Sequence, residues 1–131
     1  MDPSMEREFM LSSFLLLAPA FVAFYYARPI LGVVSIAAFA ASFNFWTYPG
    51  HTSLLVDKLT ALSALVVYTA VAVSNLKGFL MSVIAWSLFF AAAILYHVSV
   101  AFHKRRHKMW MLVHALFHFV VGCSMVFVII L

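Results

Sequence analysis

His114 and His118 stand four residues apart in an apolar stretch, a spacing that sets two imidazoles on one face of a helix. Two rings so placed can hold one metal ion, and imidazole suits zinc. A third protein ligand with an open water position would make such a site catalytic. The alternative for the same pair is that each ring hydrogen-bonds to a neighbouring helix and fastens a bundle. Of the remaining histidines, His51 and His97 are the candidates for a third ligand, whereas His103 and His107 flank a basic run and read as solvated. A b-type haem held between His97 and His114 or His118 is a more remote reading. Asp57 is the acid that packing explains least. It could orient a ligand histidine or serve as the general base for a metal-bound water. Paired with Lys58 or the basic run, it is an ordinary charge at a helix start.

The elements that must position these residues follow from composition. Of the 131 residues, 66% are apolar and 9% charged, whereas a soluble domain carries about a quarter charged residues. Such a chain cannot cover itself with polar groups, so lipid is its main solvent. Spans of ~20 apolar residues cross a bilayer as helices, and turn signals divide the chain into five of them. Residues 9–27 form the first, with Pro19 as a kink, and Arg28-Pro29 ends it, because the residue before proline leaves the helical region. Residues 30–47 form the second, stopped by Tyr48-Pro49-Gly50. Thr52 or Ser53 is the expected cap of the third, at 54–73, with Asp57 in its first turn. Ser74-Asn75-Leu76-Lys77-Gly78 separates it from the fourth, at 79–102, and the basic run Lys104-Arg105-Arg106-His107-Lys108 leads to the fifth, at 109–131. The expected fold is an all-α membrane protein, a compact bundle of about five transmembrane helices forming one domain over residues 1–131. Serines 35, 42, 63, 74, 82, 87, 99 and 124 read as small residues that pack between helices.

Charge orients the bundle. Half of the eight basic residues lie in the 104–108 run, which belongs on the cytoplasmic side near anionic headgroups. Alternation then puts the N-terminus and the Pro49-Gly50 turn on that side as well, with Arg28 and Lys77 opposite. All six histidines fall toward the cytoplasmic face. At 1.5 Å per residue, His114 and His118 lie roughly 8 and 14 Å below Met109, and His97 about 9 Å below His103. Ionisable groups at such depth face the bundle interior and are functional candidates. The aromatic residues are not interleaved with the basic run, so nucleic acid is excluded as a partner. Lipids are the partners implied, with a second copy or the subunits of a membrane complex as further candidates. The N-terminal Asp2, Glu6 and Glu8 make a poor start for a signal peptide, and the single cysteine, Cys123, excludes a disulfide framework.

Three segments resemble a known family. Leu112-Val-His-Ala-Leu-Phe-His-Phe-Val-Val-Gly-Cys-Ser-Met is similar to the last helix of the CREST superfamily, which includes alkaline ceramidases, progestin and adipoQ receptors, lipid-remodelling hydrolases and myomaker-type proteins. Asp57-Lys-Leu-Thr-Ala-Leu-Ser-Ala-Leu-Val-Val-Tyr-Thr and Ser42-Phe-Asn-Phe-Trp-Thr-Tyr-Pro-Gly resemble the myomaker group in particular. The resemblance implies a zinc site in which His114 and His118 are two of three histidine ligands, assisted by Asp57, and hydrolysis of an amide or ester bond in a lipid. It also implies departures. Asn44 stands where the family has its first zinc histidine, Ala40 where it has a serine, and the family has about seven helices where this chain has room for five. Enzyme and non-enzymatic relative, the latter acting in membrane remodelling or as a subunit of an assembly, both remain open at this point. The haem reading separates cheaply from both: it requires a red preparation with a Soret band, and a colourless one removes it.

Overall fold

The computed structural model describes residues 7, 11–48, 50–105 and 108–131. Residues 9 and 10, where the first helix was expected to begin, and Pro49, Arg106 and His107 lie outside the described residues. The described chain is helical throughout. A 3-10 segment, Ser13–Leu16, runs into α1 (Leu17–Tyr25), followed by α2 (Pro29–Thr47), α3 (His51–Asn75), α4 (Phe79–Lys104) and α5 (Trp110–Ile130). The last four are each long and apolar enough to cross a membrane, and α1 with its 3-10 lead is a shorter apolar helix. The chain is therefore a multi-pass membrane protein with an all-α fold.

Each boundary has a local cause. Ala27 turns to a positive φ of 55°, Arg28 takes a non-helical conformation ahead of proline, and Pro29 opens α2, where its missing N–H costs nothing. Gly78 breaks the chain between α3 and α4 at φ 84°, a region that a side chain strongly disfavours. The start of α3 differs from expectation. Extended Gly50 is its N-cap residue and the helix begins at His51, so Thr52 and Ser53 lie inside it. The Ser53 hydroxyl donates backwards to the carbonyls of Tyr48 and Gly50 (2.9 and 3.1 Å) and so braces the turn without capping N–H groups. Asp57 consequently sits beyond the first turn, where the pull of the helix dipole has faded.

Packing is asymmetric. α5 is the hub, touching the 3-10 segment, α1, α3 and α4, with its most extensive contact against α4. α2 lies between α1 and α3. One core cluster joins Leu16 and Ala23 of the first element, Leu31 of α2, Tyr68 of α3, and Met125, Val128 and Ile129 of α5. Within it the Ser35 hydroxyl pairs with Tyr68 Oη (2.6 Å), and both hydroxyls reach the Leu31 carbonyl (2.8 and 3.2 Å), which ties α3 to α2. α4 is peripheral: Ser99 is its one fully buried residue. Exposed Leu59, Leu62, Val66, Leu80, Phe90 and Ile94 cover the outward faces of α3 and α4, the surface that acyl chains solvate.

The first element and α5 meet at an unusually close point. Pro19 has no N–H to give to the Leu15 carbonyl four residues back, and the chain ahead of it tightens into the 3-10 turn. Gly122 of α5 comes against that same carbonyl, such that a Cβ there would lie 3.2 Å from the Leu15 oxygen. Backbone cannot step aside as a side chain can. At Gly32 an added Cβ would meet the half-exposed Phe24 ring at 2.8 Å, but a ring end can swing away. Despite the shorter distance, Gly122→Val is therefore the more damaging change. It is expected to cost about 1–3 kcal/mol through overpacking, against less than ~1 kcal/mol for Gly32→Ala, read from unfolding in mixed detergent.

Candidate functional site

The half of the bundle near the α2–α3 and α4–α5 turns holds its polar centre. His118 is 5% exposed and His114 half-buried, and their rings lie edge to face with centroids 4.6 Å apart. Each ring is held at Nδ1 by a serine from a different helical segment. Ser12 Oγ lies 3.0 Å from His118, and Ser99 Oγ of α4 lies 3.2 Å from His114. Ser13, the next residue, is fully buried and pairs with Ser42 of α2 at 3.0 Å. Aromatic rings wall the centre. Trp46 of α2 and Trp110 of α5 lie 5.7 and 6.1 Å from His114, and Phe117 touches both imidazoles. Among the described residues no buried side-chain nitrogen or oxygen lacks a partner, as lipid surroundings require.

The other expected site residues are placed apart from this pair. His51 is exposed at the first position of α3, in a surface cleft that also contains Asn44. His97 is exposed, with its ring beside Tyr96. The helical twist explains it: Ser99 faces α5, and a residue two positions earlier lies about 200° around the axis. His103 stacks on buried Trp110 at 4.5 Å and is itself exposed. Asp57 is half-buried on the stripe of α3 that also carries Ala64 and Tyr68, and the charge acting on it is that of neighbouring Lys58. Among the described residues no three His, Cys, Asp or Glu side chains gather as a metal would need. His114 and His118 come together as a pair, and neither His51 nor His97 joins them. His97, the partner that the haem reading needs, is exposed on α4.

The sequence did not mark Ser12, and it marked Ser99 only as a small residue packing between helices, not as a histidine partner. A serine carries no spacing signal, and the one available clue was indirect: two buried imidazoles in lipid need hydroxyl or carbonyl partners somewhere. No family model, curated protein or solved structure matches the chain, so the centre is read from its own geometry.

Both serine–histidine bonds join different helical segments, so they are testable by double-mutant cycles. The Ser12→Ala/His118→Ala cycle is expected to give a coupling of about 0.6 kcal/mol, with ~1.7 kcal/mol as the upper range for polar pairs within membranes. The longer Ser99–His114 bond, at 3.2 Å, should give less. His118→Ala alone should cost the most, about 1–3 kcal/mol, because the Ser12–His118 bond is lost and a cavity opens.

Proposed function

We propose that this chain is a non-enzymatic multi-pass membrane protein in which His114 and His118 act as polar crosslinks between helices, and that it serves as a myomaker-like membrane-remodelling protein or a small subunit of a membrane assembly. The observation that carries this reading is that each imidazole is bonded at Nδ1 to a serine of another helical segment. A ring held in this way does the work of interhelical glue. Asn44 supports the same reading, since it occupies the place of the first zinc histidine in the CREST resemblance and faces an outer cleft.

A second reading has a specific observation in its favour. Metal-binding histidines are commonly oriented by a hydrogen bond at the other ring nitrogen, and Ser12 and Ser99 make such bonds to two rings that meet edge to face one turn apart. On this reading zinc is held through the Nε2 atoms as in the CREST hydrolases, and the substrate is a lipid amide or ester. When bound, zinc would supply an acidified water; Asp57 lies on the bundle-facing stripe of α3, from which a proton acceptor would act.

Metal analysis of protein purified without chelator divides the two. The first reading expects less than a tenth of a zinc per chain, and no turnover of ceramide or lysophospholipid. About one zinc per chain, lost in His114→Ala, with lipid hydrolysis abolished by His118→Ala and by Asp57→Asn, would replace it with the second.

A further inference from the structure

The cleft between the end of α2 and the start of α3 belongs to neither reading above. It is lined by Asn44, Tyr48, Gly50, His51, Thr52, Ser53 and Val56, with a volume of about 370 Å³. Asn44 is exposed in the last turns of a spanning helix, roughly 5 Å below Thr47 by helical rise. Its amide makes no side-chain hydrogen bond among the described residues, and an amide at that depth cannot be left facing hydrocarbon. The Ser53 hydroxyl is already committed to the carbonyls of Tyr48 and Gly50. The groups left to meet a ligand are the Asn44 amide, the Tyr48 and Thr52 hydroxyls and the His51 imidazole, every one of which can donate a hydrogen bond. No carboxylate lines the cleft.

Lys58 adds a charge. It lies seven residues after His51, two helical turns along the same exposed face of α3. Lys58 does not line the cleft and neighbours Asp57, but helical side chains lean toward the helix N-terminus and a lysine stem can snorkel toward the interface, which brings the cleft mouth within its range. Trp46 and Tyr48, in the last turn of α2 and just after it, fix the level, since such aromatic residues sit at headgroup depth. Below the cleft, exposed Val56, Leu55 and Leu59 offer an apolar track. A donor-lined concavity with one cation at the interface, above an apolar track, is complementary to an acceptor-only anion carrying acyl chains. We propose that this cleft seats the phosphate headgroup of a membrane glycerophospholipid.

The test is lipid retention by the purified, delipidated protein, read by native mass spectrometry after titration with phosphatidylglycerol or with diacylglycerol of the same chains. Phosphatidylglycerol should be retained and diacylglycerol not. Lys58→Leu should weaken retention about five-fold, the effect of one cation near a membrane surface, and Asn44→Leu with Lys58→Leu should weaken it further. Lys58→Arg should keep it, and Lys77→Leu at the opposite end should change nothing. Both substituted positions are exposed, so helical content should be unaltered. Should the double variant lose helical content, Lys58→Leu against Lys58→Arg alone decides. Equal retention of diacylglycerol, unchanged retention in Lys58→Leu, or displacement of the lipid by millimolar glycerol phosphate would each overturn the proposal, the last by making the ligand a soluble anion.

Discussion

An imidazole buried among lipid-facing helices has no water to turn to, and His118 is where this bundle meets that constraint. Its partner, Ser12, comes from the other end of the chain. The bond therefore does more than satisfy a polar group: it fixes where the first helical segment docks on α5. Once Ser12 is held, Ser13 is carried to Ser42 of α2, and the Leu15 carbonyl freed by Pro19 is brought against Gly122. A side chain at Gly122 would hold the segments apart and stretch the bond. Polar satisfaction and close packing here are one arrangement.

The bundle divides into two storeys with different physics. Toward the C-terminus of α5, Leu31, Met125, Val128 and Ile129 form a dry apolar cluster held by shape. Toward its N-terminus, imidazoles, hydroxyls and indoles meet at hydrogen-bond and ring-contact distances. Apolar contacts between helices gain little over contacts with lipid, so a membrane bundle relies more on polar pairs and small residues for specificity. The serines at 12, 13, 42 and 99 supply the pairs, and the glycines and alanines supply close approach. The Ser35–Tyr68 pair extends the same device to α3, whose main packing partner is α2.

This division separates architecture from chemistry. Two imidazoles one turn apart are equally a metal-ligand pair and a pair of crosslinks, and the difference lies in what meets them. Here hydroxyls meet both rings at Nδ1, while His51 and His97 lie on outward faces. Apart from that centre, a cleft at the α2–α3 turn is lined by the donors of Asn44, Tyr48, His51 and Thr52. Lipid is thus the solvent of the outer faces and, on the reading given above, a bound ligand at that cleft.

The sequence by itself determined the helices and their order. Apolar length, Arg28-Pro29, the Pro49-Gly50 turn and Gly78 divide the chain almost where the structure does, because proline and glycine act locally and lipid demands helices. It also determined that His114 and His118 share a face, since that follows from spacing alone. It did not determine what those rings would meet. In a soluble helix a polar stripe marks the outside, but in lipid both faces are apolar, so hydropathy leaves the rotation of each helix about its axis unmarked. That rotation turns Ser99 inward and His97 outward, sends Asn44 and His51 to an outer cleft, and brings Ser12 to His118. Only tertiary packing decided it, through contacts between residues up to 106 positions apart.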